Sequence, residues 1–347
     1  MIGCNAFCIG KRKVVSLLIL SFLFSGIILS YSSYYQVKKF MPLREVVYFE
    51  GGEVSECQEK FDGYGRQYKH GCFINPVSVS QKVLPFADKV LYGGGLKREE
   101  ETKLKGALDA LLENAETRMV EGKEALLLPY NFSWPKYDLK PGWVSGMAQG
   151  HAIEVSVAMY RVTGEQKYLR LARKFANAFR IDYEEGGVTV RTQSGVWFEE
   201  YAQAGKEPSY ALNGHIFAIE GLARLSSHTD SFDRILHRAI LATKARVEMY
   251  DASWWSRYDL RGTPANQKYH HIHIQQLHWL GTEWGIPELE DMGRKFLWQQ
   301  VAPFSSFYRV FVYPNRFLVF LFGVNFLFVF FVLYLFILVK NNCGRKV

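Results

Sequence analysis

Apolar residues recur every three or four positions through most of the chain after Glu99, and turn residues separate the periodic segments. This spacing predicts amphipathic helices, the first of them alanine-rich and running from Glu99 to about Glu121. The further predicted helices are 144–162, 165–181, 211–226, 231–250, 269–284 and 287–301. Residues 41–96 are expected to be irregular, because their frequent glycines break long elements.

One segment, 187–201, departs from the helical period. Its apolar and polar residues alternate, with Val188 and Val190 facing Val196 and Phe198 across a Gln-Ser-Gly turn, which predicts a β-hairpin. Helices joined by short turns indicate helical hairpins that stack side by side. The predicted fold class is therefore mainly α, an incomplete (α/α) toroid of helical hairpins with a small inserted β-hairpin.

Two uncharged apolar runs, 14–31 and 317–339, are long enough to cross a bilayer as helices. A signal peptide is the alternative for the first run, but no small-residue cleavage site follows it. Basic residues on the outer side of both runs predict cytoplasmic ends and a lumenal or extracellular domain between them. The predicted domains are a cytoplasmic N-terminus (1–13), an anchor (14–31), an irregular stalk with a truncated N-terminal region (32–98), the toroid (99–305), a second span (317–339) and a cytoplasmic tail (340–347).

The formal net charge of +8 does not describe the predicted toroid. Residues 1–40 and 340–347 carry eight bases and no acid, which equals the whole surplus. The region between them is neutral overall, whereas a nucleic-acid-binding domain carries its own basic patch. A nucleic-acid partner is therefore not expected.

Cys57 and Cys72 are the two cysteines of the predicted external region. An isolated pair in an oxidising compartment favours a disulfide between them. Such a loop would contribute on the order of 3 kcal/mol to stability in the chain-entropy account. Two free buried thiols are the alternative.

A polar helix face near residue 270 is the first candidate for a functional site. Tyr269, His273 and Gln276 follow the spacing i, i+4, i+7 and share a face where a packing helix would carry apolar residues. The neighbouring His270 and His271 suggest a metal site, but a helix directs them about 100° apart. With no acidic partner nearby in sequence, no metal is predicted.

Two shorter motifs carry charged groups suited to proton transfer and carboxylate binding. Glu200 and Tyr201 place a carboxylate beside a phenol at the end of the predicted hairpin. They can cooperate only if the strand ends or bulges there, since neighbours on a strand point to opposite faces. Arg261 offers a planar fork for a substrate carboxylate, and a salt bridge to Asp259 is the structural alternative.

Small residues at positions 146, 148 and 150 lie within the segment PGWVSGMAQG. They would let the start of a helix approach either a neighbouring helix or a sugar closely, and both interpretations stay open at this point.

Taken together, these motifs resemble those of the glucuronyl C5-epimerases, which convert D-glucuronate to L-iduronate within heparan-sulfate or heparin-precursor chains. The resemblance covers about residues 141–281 and rests on five segments in order: PGWVSGMAQGHAI, WFEEY, SYALNGHIFAIEGL, YDLRGTP and YHHIHIQQL. It implies the family's C-terminal catalytic domain, an (α/α) toroid with an open cleft for an acidic polysaccharide.

The resemblance also implies functional residues and a reaction. Glu200 and Tyr269 would exchange the C5 proton from opposite faces of the uronate, without an organic cofactor. The residues carried over by motif are Glu200, Tyr269, Tyr201 and Tyr258 as catalytic residues and Arg261 as a substrate-binding residue. The further predicted substrate-binding residues are Trp143, Gln149, Asn213 and His273. The expected partners are an acidic polysaccharide and a membrane, the Golgi membrane if the source is eukaryotic, and a homodimer is left open.

Three features depart from the family pattern. Fewer than a hundred residues precede the first predicted helix, where the family carries a long β-rich region, and Phe86-Ala87-Asp88 stands where a tyrosine is expected. The second apolar span is also atypical. These departures keep two alternatives open, a catalytically impaired module that binds a uronate polysaccharide and a uronate polysaccharide lyase.

Overall fold

The protein is mainly helical, which confirms the predicted fold class at that level. A computed structural model describes residues 11–40, 47–50, 53–57, 60–61, 67–68, 74–302, 305–311 and 316–343. The described helices are α1 (Lys11–Phe40), α2 (Pro76–Leu91), α3 (Arg98–Glu113), α4 (Gly146–Thr163), α5 (Gln166–Asn177), α6 (Leu212–Ser226), α7 (Asp233–Arg246), α8 (Gln267–Glu283), α9 (Pro287–Val301), α10 (Ser305–Phe311) and α11 (Arg316–Cys343). Their arrangement as a toroid stays a prediction.

The described strands pair as two-stranded antiparallel hairpins. They are β1 (Val47–Glu50), β2 (Glu53–Cys57), β3 (Lys60–Phe61), β4 (Gln67–Tyr68), β5 (Glu116–Val120), β6 (Lys123–Leu127), β7 (Thr189–Thr192) and β8 (Gly195–Phe198). The chain forms two units: residues 42–251 with 257–293, and residues 1–41 with 252–256 and 294–347.

In the larger unit, α4 is the central helix. Every residue from Gly146 to Met159 is buried, and the helix packs against α2, α3, α5 and α6. A helix that is covered on all sides belongs to the core, whereas a surface helix keeps one polar face. Ser145 caps its N-terminus by accepting a hydrogen bond from the backbone of Ala148. The segment PGWVSGMAQG therefore leads into the helix on which four other helices of the larger unit pack.

Glycines bring α4 and α6 into close contact. A Cβ at Gly150 would lie 2.4 Å from the carbonyl oxygen of Phe217 and 2.8 Å from Cα of Ala218. A Cβ at Gly221, on the other helix, would lie 2.3 Å from the carbonyl oxygen of Gly150. Between helix packing and sugar binding, this geometry favours helix packing for Gly150.

We expect Gly150→Ala to lower the free energy of unfolding by about 1–3 kcal/mol, because the atoms in the way are main-chain atoms of α6. Helix propensity alone would favour alanine by about 1 kcal/mol, so a net loss identifies the steric contact. Urea denaturation followed by circular dichroism measures the change. Gly95→Ala is the control, since a Cβ there meets nothing within 4 Å. An unchanged midpoint for Gly150→Ala would contradict the close helix contact.

The predicted helix from Glu99 to Glu121 is wrong at its C-terminal end. Helix α3 ends at Glu113, and β5 and β6 form a hairpin in which Val120 pairs with Lys123. Glu121 and Gly122 between them have φ values of 50° and 71°. Two consecutive positive φ angles characterise the type I′ turn, whose twist suits a hairpin. The helix prediction extended through this Glu-Gly turn because the surrounding composition is acidic and alanine-rich.

The prediction that residues 41–96 are irregular is also wrong in part, because α2 lies within them. Asn75 caps this helix by accepting a hydrogen bond from the backbone of Ser78 at 3.1 Å, and Pro76 occupies its first position. A capping residue followed by proline is a recognised helix start, and the glycines on either side obscured it. The triplet 86–88 lies in this helix, with Ala87 fully buried.

The hairpin predicted within 187–201 is confirmed as β7 and β8, but the predicted pairing of its apolar residues is wrong. Val190 pairs with Trp197, and Val196 pairs with Arg191, because Gly195 pairs with Thr192 instead of lying in the turn. Strand β8 ends at Phe198, so Glu200 and Tyr201 lie beyond it. The opposite-face restriction of a strand therefore does not apply to this pair.

In the smaller unit, α1 packs against α10 and α11. Phe22 stacks on Phe307 at 4.9 Å between ring centroids, and the hydroxyl of Ser306 donates to the carbonyl oxygen of Gly26 at 2.6 Å. Two stretches, Arg12–Ser30 and Leu318–Val339, are long and apolar enough to cross a membrane. The predicted Cys57–Cys72 disulfide lies outside the described residues, because nothing is described of Cys72.

Candidate active site

Four segments of the larger unit meet at a cluster of tyrosines around Glu200. They are a loop with a short 3-10 turn (Pro135–Tyr137), the residues after β8 (199–201), the loop 257–264 and the start of α8. Main-chain pairing fixes the second segment, because Val144 and Ala202 exchange two hydrogen bonds of 2.9 Å. Glu200 is therefore held between the end of a strand and a second anchored point.

Glu199 is a scaffold for this segment. Its carboxylate accepts hydrogen bonds from the Ser209 hydroxyl at 2.5 Å and from the backbone of Tyr210 and Tyr201 at 2.8 and 3.1 Å. Burial raises its pKa, although these three bonds oppose the rise. With Glu199 committed to the main chain, Glu200 is the carboxylate of this pair that meets the tyrosines.

Glu200 stands at the centre of the cluster. The hydroxyl of Tyr258 donates to Oε1 of Glu200 at 3.0 Å, and the hydroxyls of Tyr258 and Tyr201 are 2.8 Å apart. Oε2 of Glu200 lies over Gly214 in α6, where a Cβ would be only 2.3 Å from it. Tyr269 meets Tyr258 edge-on, with 4.7 Å between ring centroids. The structure thus brings together the four residues predicted to be catalytic.

The buried position sets the proton affinities of these groups. Burial raises the pKa of Glu200 to about 7, although hydrogen bonds from Tyr201 and Tyr258 lower it. Burial also raises the pKa of Tyr201, Tyr258 and Tyr269, and the charge of Glu200 adds to the rise in each case. At neutral pH the phenols are proton donors, and Glu200 can either take or give a proton.

Lys136 is a cation of this site that the sequence reasoning missed. Its ammonium group lies 4.9 Å from the ring centroid of Tyr258 and 3.4 Å from the carboxylate of Asp259. Its positive charge also lowers the pKa of Glu200. The signal that could have identified it is the sequence Trp-Pro-Lys-Tyr, where a proline-fixed turn presents a cation between aromatic residues.

The salt bridge considered between Asp259 and Arg261 is not the pairing observed. Asp259 accepts a hydrogen bond from the hydroxyl of Tyr137 at 2.7 Å and pairs with Lys136, while its other oxygen accepts from the backbone of Thr263. Arg261 is exposed, donates to the carbonyl oxygen of Glu207 and lies 5.3 Å from the ring centroid of Tyr137. Its guanidinium is thus at the rim of the cluster.

The remaining predicted substrate contacts divide into two groups. Trp143 supports the cluster, since its ring lies 5.9 Å from that of Tyr201 and its indole donates to the carbonyl oxygen of Phe132. Gln149 instead bonds three main-chain groups, donating to Leu126 and Phe175 and accepting from Leu128. These bonds assign Gln149 a packing role, and we leave it out of the site.

Two further predicted contacts are buried side chains on α6 and α8. Asn213 at the start of α6 is fully buried, and within the described residues its amide nitrogen and oxygen have no hydrogen-bond partner. His273 lies one turn along α8 from Tyr269, and burial lowers its pKa to about 3, so it is neutral. Lys268, beside Tyr269, places its ammonium group 5.6 Å from that ring's centroid.

The cluster therefore combines a carboxyl group of near-neutral pKa with four phenols, those of Tyr137, Tyr201, Tyr258 and Tyr269, and with the basic side chains of Lys136, Arg261 and Lys268. This set can move a proton and attract an anion. Over the part of the chain that the structure describes, no group of three or more His, Cys, Asp or Glu side chains is arranged to hold a metal ion.

Comparison with known proteins agrees with this chemistry. The family described as "D-glucuronyl C5-epimerase C-terminus" matches residues 122–297, which include every residue of the cluster. An uncharacterized protein of Methanocaldococcus jannaschii is 31% identical over 201 residues, which are 54% of this chain and 65% of that protein. The D-glucuronyl C5-epimerase of Caenorhabditis elegans is 29% identical over 195 residues, which are 50% of this chain and 31% of that enzyme. The chain thus spans less than two thirds of the length of either relative.

Proposed function

Because this chain belongs to the D-glucuronyl C5-epimerase family through that family's C-terminal domain, we propose that it inverts C5 of D-glucuronate residues within an acidic polysaccharide. The proposed product is L-iduronate, and the proposed polymer is of the heparosan or heparan-sulfate type. The observation that carries the proposal is the buried Glu200, whose pKa is raised to about 7 and whose carboxylate is bonded to the phenol of Tyr258.

The chemistry of a uronate explains why such a cluster is needed. Removing the C5 proton leaves an electron pair that spreads onto the adjacent carboxylate, so cations and hydrogen-bond donors at that carboxylate lower the barrier. Arg261 at the rim and Lys136 inside the cluster are suited to this task. Inversion also needs one group to remove the proton and another to return a proton from the opposite face. Glu200 and Tyr269, which come from two different segments, take these two roles in the proposal.

The expected location follows from the apolar helices and their flanking charges. In the proposal, the two spans anchor the chain in a membrane and the epimerase domain is on the lumenal or extracellular side. A polysaccharide assembled in a secretory compartment would meet the domain there.

The full-length protein in detergent, incubated with unsulfated heparosan in deuterated water, tests the proposal. We expect iduronate to form with deuterium at C5, as seen by nuclear magnetic resonance. Binding of heparosan without exchange would favour an impaired binding module. An unsaturated product that absorbs ultraviolet light would favour a lyase, because a uronate carbanion can expel its 4-linked neighbour.

Lys136→Met is expected to move the acidic limb of the pH–rate profile to higher pH. The limb reports the ionisation of Glu200, which must be deprotonated to remove a proton, and Lys136 favours that ionised form. Methionine keeps the length of the side chain without the charge. The midpoint of kcat/KM against pH gives the result, with exposed Lys140→Met as the matched control. A shift to lower pH would contradict the electrostatic role of Lys136.

A further inference from the structure

A short chain of hydroxyl groups connects Glu200 with the partly exposed edge of the cluster. Tyr258 donates to Glu200 Oε1 at 3.0 Å, and its oxygen is 2.8 Å from that of Tyr201. The Tyr201 hydroxyl is also near enough to Glu200 to lower the pKa of its carboxyl group. Glu200 and Tyr258 are buried, whereas Tyr201 is partly exposed. The hydrogen-bonded route from Glu200 therefore leads through Tyr258 to Tyr201.

The other oxygen of Glu200 offers no comparable connection. Oε2 is buried against Gly214 and has no hydrogen-bond partner among the residues that the structure describes. Among the described residues, the hydrogen-bonded route away from Glu200 therefore begins at Oε1 and runs through the phenols.

An inverting enzyme with two proton-transfer groups must return both groups to their starting protonation states after each turnover. After one inversion the group that removed the C5 proton holds it, and the opposite group has lost one. The next turnover in the same direction cannot begin until both are restored. This requirement rests on the proposed epimerase function and is independent of which epimer Glu200 faces.

We propose that Tyr201 and Tyr258 form a proton relay that carries the proton of Glu200 to water between turnovers. During abstraction the C5–H bond breaks, an O–H bond forms on Glu200, and the electron pair stays with the uronate. During restoration Glu200 gives its proton to the Tyr258 oxygen, Tyr258 gives its own to Tyr201, and Tyr201 gives one to water. Glu200 ends as a carboxylate, water as hydronium, and both phenols are neutral again.

The experiment measures where deuterium enters when the full-length protein acts on glucuronate and iduronate polymers in deuterated water. The epimer whose exchange is lost in Glu200→Gln is the one that Glu200 faces. For that epimer, the ratio of deuterium exchange to epimerisation reports whether the proton of Glu200 reaches solvent before it returns to C5. A general loss of rate leaves this ratio unchanged, so a merely structural role cannot imitate the effect.

Tyr201→Phe is expected to lower the ratio several-fold, because it removes the outer hydroxyl of the relay. Tyr258→Phe is expected to lower it as well, because Tyr258 is the hydrogen-bonded link between Glu200 and Tyr201. Tyr137→Phe is the matched control: its ring lies 4.3 Å from that of Tyr201, but its hydroxyl donates to Asp259. An unchanged ratio in Tyr201→Phe, or an equal fall in Tyr137→Phe, would overturn the relay.

A variant too slow to measure is tested with imidazole, a small proton carrier. Recovery of exchange by imidazole in Tyr201→Phe supports the relay, and lack of recovery overturns it. Wild-type protein that neither exchanges nor epimerises would refute the proposed function itself, and the relay with it. Wild-type epimerisation with an unchanged ratio in the variants would refute the relay alone.

Discussion

Glu200→Gln is expected to abolish epimerisation while making the folded protein more stable above pH 7. Glutamine keeps the shape of the side chain and can accept the hydrogen bond of Tyr258, but it cannot carry the C5 proton. General acid–base groups contribute about 10²–10⁴-fold to rate, so a loss of that order is expected. Binding of the polymer should be largely retained.

The gain in stability follows from the raised pKa of the carboxyl group. The folded protein holds the proton of Glu200 up to about pH 7, whereas the unfolded chain releases it near the ordinary value of 4.5. Stability therefore falls as the pH rises between these two values and is constant above them. The difference between the two pKa values corresponds to about 3 kcal/mol in the free energy of unfolding, and the glutamine variant would not show this loss at high pH.

Thermal unfolding of both proteins at pH 5 and pH 8 measures the effect. The melting temperatures should differ at pH 8 and converge at pH 5, with Glu207→Gln as a control that removes an exposed carboxylate near the site. A variant that epimerises at the wild-type rate would contradict the role of Glu200. A variant less stable than wild type at pH 8 would contradict the burial argument.

Tyr269→Phe is expected to abolish epimerisation without a change in stability. The ring keeps its edge contact with Tyr258, and the ammonium group of Lys268 stays near its centroid. The lost hydroxyl is the group assigned to proton transfer on the face opposite Glu200, so a loss of about 10²–10⁴-fold is again expected.

Isotope exchange separates the role of Tyr269 from that of Glu200. In Tyr269→Phe, Glu200 can still remove a proton from one epimer and return solvent deuterium to the same face. That epimer should therefore exchange without inverting. Tyr160→Phe, a partly exposed tyrosine of α4, is the control. If Tyr269→Phe and Glu200→Gln both epimerise at near wild-type rates, the assignment is wrong and Tyr201 and Tyr258 become the next candidates.

Local patterns predicted the elements more reliably than the contacts between them. Helical periodicity and the alternation within 187–201 depend on neighbours in sequence, so α4 to α9 and the β7–β8 hairpin could be predicted. The β5–β6 hairpin was not predicted, because the surrounding residues have a helical composition and only the short Glu-Gly turn indicates a hairpin. Helix α2 was not predicted, because its capping signal lies among glycines.

In the site, too, residues close together in sequence were easier to predict than contacts between distant segments. Glu200 and Tyr201 are neighbours in sequence, and their motif pointed to proton transfer. Lys136 reaches the site through Asp259, which is 123 positions away, and no local spacing indicates that contact. Gln149 lies in an equally suggestive motif, yet its amide bonds main-chain groups, which only the packing of α4 reveals.

Glu199 and Glu200 are adjacent and chemically identical, yet the first has a structural role and the second has the proposed catalytic role. Glu199 accepts hydrogen bonds from the Ser209 hydroxyl and the backbone of Tyr210, and Glu200 accepts one from the phenol of Tyr258. Strand β8 ends one residue before this pair, and the bridge at Ala202 begins soon after it. Insertion or deletion of one residue here would exchange the two environments and put the scaffold carboxylate at the reaction centre. The length of this segment, as well as the identity of its residues, therefore determines which carboxylate meets the phenols.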